Sequence, residues 1–466
     1  MKSTSAAFPE NSRRALQDPV LQTALSRMKQ SFPEGRRRAV EALPEFEDLR
    51  DAARGIKDHA LAHLDLYLEA FEAKVTAAGG IVHWCDTAEE ARDCVARIAE
   101  QAGARLITKG KSMVTEEIGL NPHLEGEGYL PLETDLGEYI IQLAKEPPSH
   151  ILGPAMHMPR ERIADLFAEH HARPRKETAA ALVAEAREVL RESFFAADMA
   201  ITGANFLVAE TGSVVIVTNE GNGDLAQINA RTHVVVTGIE KVIPTLEDLS
   251  TFLRLLARSA TGQELSVYTS IVTGPRRQGD PDGPEHFHVV LVNNGRTALA
   301  AGPAREALRC IRCSACLNHC PVYKHVGGHA YGWVYPGPIG AAIDPGYLGL
   351  ASARHLPNAT SLCGRCAAVC PVKIPLPQIF RHWRAEAFRR QLTPLPERSG
   401  VRLFAWVAAR PRLYRMVTRL ASWWLRVLAR GRGRLARLPF AGGWTQSRDL
   451  PAPTGPTFFD QWKERR

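Results

Sequence analysis

At 466 residues the chain is too long for one ordinary hydrophobic core, and its length predicts two or three domains. A hydrophobic share of 45% and a charged share of 23% exclude wholesale disorder. The net charge of +8 is concentrated rather than spread: from Arg398 through Arg437 arginine follows arginine with no Asp or Glu. That asymmetry predicts a docking surface for an acidic partner or a membrane face.

The longest apolar runs, such as SVVIVT and THVVVTG, are far too short to cross a bilayer. The opening MKSTSAAFPENSRRALQDPV has no apolar signal-peptide core, so the expected location is cytoplasmic, with the inner face of the membrane as a place to dock. In that reducing compartment, clustered cysteines bind metal more readily than they pair as disulfides.

In chain order, LRDAARGIKDHALAHLDLYLEAFEAKVTAAGG keeps apolar residues three and four apart and ends in glycines, which predicts helix up to about Gly80. IVHWC reads as a buried strand. DTAEEARDCVARIAEQAG reads as a helix opened by Thr87 with Glu90 three residues on, a capping box. RLITKGKSM is strand then loop, and this alternation marks an α/β domain with a parallel sheet. After a helix in RKETAAALVAEAREVLRESFFAAD come the runs AITGANFLVA, GSVVIVT, THVVVTG, SVYTSIVTG and HFHVVLVNN, with one helix, LEDLSTFLRLLARSA, among them. Continuous apolar runs predict strands covered on both faces. Beyond AREALRC, cysteine, proline and glycine rise, and KHVGGHAYGWVYPGPIGAAIDPGY reads as a loop-rich insertion. The expected organisation is an N-terminal helical region over 1–60, an α/β domain over 61–300, a cysteine-rich domain over 301–390, and a basic helical region with a tail over 391–466.

Two runs hold seven of the nine cysteines. CIRCSACLNHCP places Cys310, Cys313, Cys316 and Cys320 in the C-x2-C-x2-C-x3-C-P spacing of bacterial ferredoxins. ATSLCGRCAAVCP places Cys363, Cys366 and Cys370 in the last three slots of that pattern, with Thr360 in the first. A cubane takes one soft thiolate per iron, so three cysteines in one turn serve three irons, and the fourth, before proline, serves the other cluster. This crossed rule assigns Cys310, Cys313, Cys316 and Cys370 to one [4Fe–4S] cluster. It assigns Cys320, Cys363 and Cys366 to a second. Structural zinc uses pairs of ligands across a longer spacer, a poorer match.

For the second cluster three readings stand. It is [3Fe–4S], or it is [4Fe–4S] with an open iron held by water, a nearby His or Asp, or a partner, or a distant thiolate, Cys85 or Cys94, completes it. The open-iron [4Fe–4S] form is preferred, although spacing does not separate it from [3Fe–4S]. Cys85 and Cys94 read as buried thiols of another domain. The long insertion and the helical LPQIFRHWRAEAFRR resemble the α-helical ferredoxin modules of succinate dehydrogenase iron–sulfur subunits. Two clusters in one such module make a wire for electrons.

Taken together, CIRCSACLNHCPVYKHVGGHAYGWVYPGPIG and LCGRCAAVCPVKIPL closely resemble the lactate utilization protein B family. TKGKSMVTEEIGLN, ETDLGEYIIQLAKEPPSHILGPAMH, ETGSVVIVTNEGNGDL and GPRRQGDPDGPEHFHVVLVNNGR are similar to its LUD domain. The resemblance implies a NagB/RpiA/CoA-transferase-like fold for the α/β domain and an α-helical ferredoxin-like dicluster domain after it. It also implies an iron–sulfur electron-transfer subunit in the oxidation of L-lactate to pyruvate. The implied partners are a cysteine-rich CCG-domain subunit and a small LUD-only subunit. The family's ligands are likewise seven cysteines matching these positions, so Thr360 is no departure from it. Two other readings stand beside this one: a LUD-domain enzyme acting on a 2-hydroxy acid with the clusters as internal acceptors, and a non-redox assembly scaffold.

Weaker signals remain. Glu210, with Thr211 and Gly212, is either a nucleophile of the CoA-transferase kind or a solvated turn residue. Lys109, Gly110 and Lys111 offer charge to a phosphate or carboxylate without P-loop spacing. His319, His325 and His329 lie near the cysteines as ligand candidates or as plain loop residues. The segment with Trp406, Trp423 and Trp424 mixes arginine with aromatic residues at helical spacing, which suits partner docking first and membrane contact second. No reading helix or known module accompanies the charge, so nucleic acid is not an expected partner. GNGDL lacks the dinucleotide fingerprint, so no bound flavin or NAD is expected.

Overall fold

The computed structural model describes residues 3–438, 445 and 448–465. The chain divides into two compact units, with the break between Ala387 and Phe388.

Ten strands build the first unit: β1 (Ile81–Cys85), β2 (Leu106–Lys109), β3 (Leu130–Glu133), β4 (Met199–Thr202), β5 (Phe206–Val208), β6 (Ser213–Thr218), β7 (Thr232–Gly238), β8 (Val242–Ile243), β9 (Tyr268–Val272) and β10 (His286–Val292). Six form an all-parallel sheet in the order β1–β10–β7–β4–β2–β3. Parallel neighbours need long crossovers, and helices such as Ala88–Gln101 and Ala179–Ala196 supply them. β4 and β7 are buried along their whole length, as continuous apolar runs predict. β1 differs. It pairs only with β10 at the sheet edge, so Ile81 and Trp84 are exposed despite the apolar sequence.

Thr87 does cap the next helix, accepting from the Glu90 N–H at 3.2 Å, but Glu90 reaches back to the Asp86 N–H instead of closing a box on Thr87. The run AITGANFLVA also breaks: after Gly203–Asn205 the chain leaves the parallel sheet and β5 joins a second, mixed sheet in the order β8–β5–β6–β9. SVYTSIVTG becomes β9, an edge strand of this sheet with a largely exposed surface, so it is not covered on both faces.

The segment expected to be a loop-rich insertion is instead packed inside. It forms helix Gly337–Tyr347, in which every residue from Gly337 to Pro345 is buried. A helix surrounded by protein has no polar face and hence no amphipathic period to read. Gly340 shows how tight the packing is, since a Cβ there would lie 1.6 Å from the Tyr335 carbonyl oxygen.

The N-terminal helices Phe8–Gln17, Pro19–Glu41 and Phe46–Ala62 are part of the same unit. One apolar core runs from Phe46 and Ala53 through Phe206 and Phe252 to Ile311, Leu317 and Ile343. Each Phe, Ile or Leu side chain among them contributes about 1.5–3 kcal/mol on burial, so this shared core binds the helices, the mixed sheet and the cysteine-rich segment into one folding body.

The second unit holds helices Leu395–Ala408 and Pro411–Ala429, a short antiparallel ribbon (Arg434–Leu435 with Leu450–Pro451) and helix Phe458–Glu464. Arg419 and Asp460 form an ion pair between two of these helices. Leu403, Phe404, Trp406, Leu420 and Trp423 are all exposed. Among the described residues no helix is long and apolar enough to cross a membrane.

Candidate iron–sulfur centre

Each cysteine run folds as a left-handed kink followed by a short helix. In the first run Arg312 and Ser314 both sit at φ 60°, and helix Ala315–Asn318 follows. In the second, Leu362 (φ 55°) and Gly364 (φ 78°) repeat the kink before helix Arg365–Val369. Positive φ is costly for Arg, Ser and Leu, and such strain persists where the surroundings over-determine it. The two runs match residue for residue at an offset of fifty, pairing Cys313 with Cys363, Cys316 with Cys366, Cys320 with Cys370, and Cys310 with Thr360.

The first kink and the turns after each Cys-Pro point backbone N–H groups at sulfur. Arg312 N–H donates to Cys310 Sγ at 3.4 Å, Ile374 N–H to Cys370 Sγ at 3.4 Å, and Tyr323 N–H to Cys320 Sγ at 3.5 Å. Thr360 keeps the same turn with an oxygen in the sulfur's place, since Leu362 N–H donates to Thr360 Oγ1 at 3.0 Å.

Cys310, Cys313, Cys316 and Cys370 line one small pocket, walled mainly by Ile151, Ile311, Ile339, Val372 and Leu376. Ile151 comes from the segment before β4, so the α/β part closes over the site. Burial pushes the Cys370 thiol up to about 11, against the pull of the Ile374 and Val372 N–H groups. Burial and neighbouring thiols also raise Cys313 and Cys316. These three groups resist ionising on their own and need a polycation among them.

Cys320 and Cys366 are buried near each other and near Cys363, and burial with the Cys320 neighbour lifts Cys366 to about 12. Cys363 is exposed, and the Arg365 N–H and the Ser361 side chain hold its thiol below the usual value. Cys310, Cys313, Cys316 and Cys370 thus share one pocket, and Cys320, Cys363 and Cys366 lie near one another. Their soft donors, inward N–H groups and apolar walls fit iron–sulfur clusters. Among the described residues no three His, Cys, Asp or Glu side chains close on a single metal ion.

The N-terminal helices hold this region in place. Arg50, almost fully buried, donates to the Cys370 carbonyl from Nε at 3.0 Å and from Nη2 at 2.8 Å, and also to the Ala368 carbonyl at 2.8 Å. Arg36 Nη2 reaches the Val369 carbonyl at 3.2 Å.

Other sequence candidates take structural roles. Glu210 Oε2 accepts from the Leu246 N–H at 3.0 Å, capping helix Leu246–Ala260 from the surface. Lys109 is fully buried and ion-paired with Glu133 at 2.7 Å and Glu116 at 3.3 Å. His319, His325 and His329 each direct one ring N–H at a backbone carbonyl, of Ala315, Pro321 and Pro147 respectively. Cys85, the last residue of β1, and Cys94, on the helix that follows, lie in one core with each other as partners, apart from the seven clustered cysteines.

A buried charge network went unseen in the sequence. Arg296, fully buried, grips Glu117 with two bonds of 2.8 Å and Glu240 with one of 2.6 Å. Tyr335 donates to Glu117 at 2.6 Å, and Arg312, in the first cysteine turn, lies 3.5 Å from Glu240 and 4.3 Å from the Tyr335 ring centre. Burial disfavours the Glu240 carboxylate, yet Arg296, Arg312 and Lys241 outweigh it and hold it down at about 2. The only local hint is the arginine inside CIRC, because the other members come from distant segments.

The LUD domain family model matches residues 68–292, the 4Fe-4S dicluster domain model 306–374, and the model for the C-terminal part of lactate utilisation protein B 389–466. The chain is 42% identical over 469 residues to lactate utilization protein B of Geobacillus thermodenitrificans, covering 100% of this chain and 98% of the relative. It is 42% identical over 469 residues to the same-named protein of Bacillus pumilus, covering 100% and 99%. It is also 41% identical over 473 residues to the uncharacterized electron transport protein YkgF of Escherichia coli, covering 100% and 98%.

Proposed function

We propose that this chain, which belongs to the lactate utilization protein B family, carries electrons in the oxidation of L-lactate to pyruvate. The observation that carries this reading is the pair of interleaved cysteine sets on matched turns, one enclosed and the other reaching the surface through Cys363. Clusters held there supply one-electron transfer at potentials set by their surroundings. The chain's own residues hold the first centre apart from water, aim N–H groups at the sulfurs, and place Arg312 and its network beside the first set.

The first set, with four thiolates, suits [4Fe–4S]. The second has three thiolates, and Thr360 Oγ1 is engaged by the Leu362 N–H, which favours a [4Fe–4S] cluster with an open iron or a [3Fe–4S] cluster. The exposed aromatic and basic helices of the second unit support docking on a partner subunit, with an anionic membrane face as the second choice. A cysteine-rich CCG-domain subunit and a small LUD-only subunit are the partners in this reading, on the cytoplasmic side.

Electron paramagnetic resonance of anaerobically prepared full-length protein, as isolated and after dithionite, tests it together with iron and sulfide counts. Two clusters are expected, with about eight irons per chain for two cubanes or about seven with one [3Fe–4S]. Zinc in place of iron, or a single cluster, would overturn the relay.

A further inference from the structure

The parallel sheet has a switch point. From β2 the chain moves to β3 on one side, then returns to start β4 on the other and continues outward through β7 and β10. In open α/β sheets, ligands bind beyond the carboxyl ends of the strands at such a point. Here the carboxyl ends of β2, β4 and β7 open on a cavity with about 1740 Å³ of space, mouth included. Its walls run from Gly110 and Thr202 down to Lys241 and Arg312.

The polar groups in this cavity are poorly matched by the protein. Lys241, 6% exposed, makes no hydrogen bond or ion pair among the described residues. Arg312 Nη1, Thr237 Oγ1, Thr218 Oγ1 and Asn222 Oδ1 are buried wall atoms without hydrogen-bond partners. Buried polar groups are otherwise nearly always paired, and a buried cation without an anion is costlier still. The nearby carboxylates supply only part of the balance. Glu117 and one oxygen of Glu240 are held by Arg296, which leaves for Arg312 the second Glu240 oxygen, at 3.5 Å, and the field of Asp344, a buried carboxyl that makes no ion pair with it and that burial holds well above the usual carboxylate range. Cys310 faces Arg312 and Lys241 from the cluster side, but the cavity side stays unanswered.

We propose that this cavity binds a small organic carboxylate, its charge held between Lys241 and Arg312 and its remaining polar atoms met by Thr237 and its neighbours. Naming a 2-hydroxy or 2-oxo acid as the occupant rests on the lactate reading; the need for an anion rests on the cavity alone. Arg312 lies between two ligand cysteines of the first set, so the acid sits on one side of this arginine and the cluster site on the other.

The test is isothermal titration of the anaerobic, cluster-loaded full chain with sodium L-lactate, sodium pyruvate and inorganic phosphate at constant ionic strength. Saturable binding of lactate or pyruvate is expected. It should be roughly tenfold to a hundredfold weaker in Lys241→Met, which loses a charged hydrogen-bond donor. Lys241→Arg should retain it. Met has a similar stem and removes an unmatched buried charge, so the variant is expected to fold, with its cluster spectrum as the check. Thr237→Val, nearly the same shape, provides a second variant with several-fold weaker binding expected. No saturable binding of either acid, unchanged affinity in Lys241→Met, or binding of phosphate alone would each overturn the proposal. A chain that binds neither acid yet is still reduced by the assembled lactate-oxidising system would sink this inference and leave the electron-transfer reading standing.

Discussion

The two cysteine sets share a backbone and differ in setting. Both have the left-handed kink, the short helix and a final Cys-Pro. The first is enclosed by apolar side chains from three parts of the chain and abuts a buried charge network. The second has an exposed cysteine and a threonine where its twin has a ligand. One local design therefore yields two environments, and environment sets potential and access to solvent. The first set thus lies beside the α/β cavity and the second reaches the surface through Cys363.

Replacing one ligand in each set should break that symmetry most sharply. Cys313→Ala removes a buried thiolate from the closed cavity, so loss of the first cluster should be accompanied by a fall in folding stability of several kcal/mol, read by denaturant unfolding under anaerobic conditions. Cys363→Ala, at the surface, should lose or alter the second cluster with a much smaller change in the unfolding midpoint. Equal losses from both variants would show that burial does not distinguish the sites.

Acid is expected to act next. His150, hydrogen-bonded to Asn318 beside the cysteine segment, is held down at about 4 by burial, and His233 on β7 is held down at about 3 for the same reason. Both folded values lie below the ordinary histidine value, so an unfolded chain takes up protons first as pH falls. Stability is therefore full above about pH 6.5 and declines below it, by about 1.4 kcal/mol per pH unit for each histidine until its folded value is reached. Unfolding curves from pH 7 to pH 5 check this, and His233→Gln should flatten the slope.

Thr360→Cys restores the missing slot and should make the second set spectroscopically like the first, replacing any [3Fe–4S] or open-iron signal with that of a four-thiolate cluster. An unchanged spectrum would mean that the fourth position is filled from elsewhere. The smallest effect is expected at Glu210. Glu210→Gln still offers an oxygen to the Leu246 N–H, so the change in stability should stay within about 0.5 kcal/mol, and lactate turnover by the assembled system should not move. Lost turnover with intact clusters would return Glu210 to the list of reacting groups.

Much of this molecule was legible in local pattern. The spacing of Cys310, Cys313, Cys316 and Cys320 encodes a turn, and residues two or three apart cannot avoid sharing it. The β7 valines announce a buried strand in the same way. Legibility failed where neighbours decide. IVHWC has the composition of an inner strand but lies at an edge, and the helix at Gly337 shows no period because it is buried all round. Glu210 looks like a nucleophile by position in a run, yet its partner is a helix end 36 residues on.

Sequence alone pointed to iron–sulfur chemistry, because ligand spacing is a property of a few contiguous residues. Only tertiary structure decided which set is enclosed, where the charges collect and what opens beside them. Arg296 meets Glu117 across 179 residues and Glu240 across 56. Such encounters depend on how sheets and helices pack, and no local pattern records them.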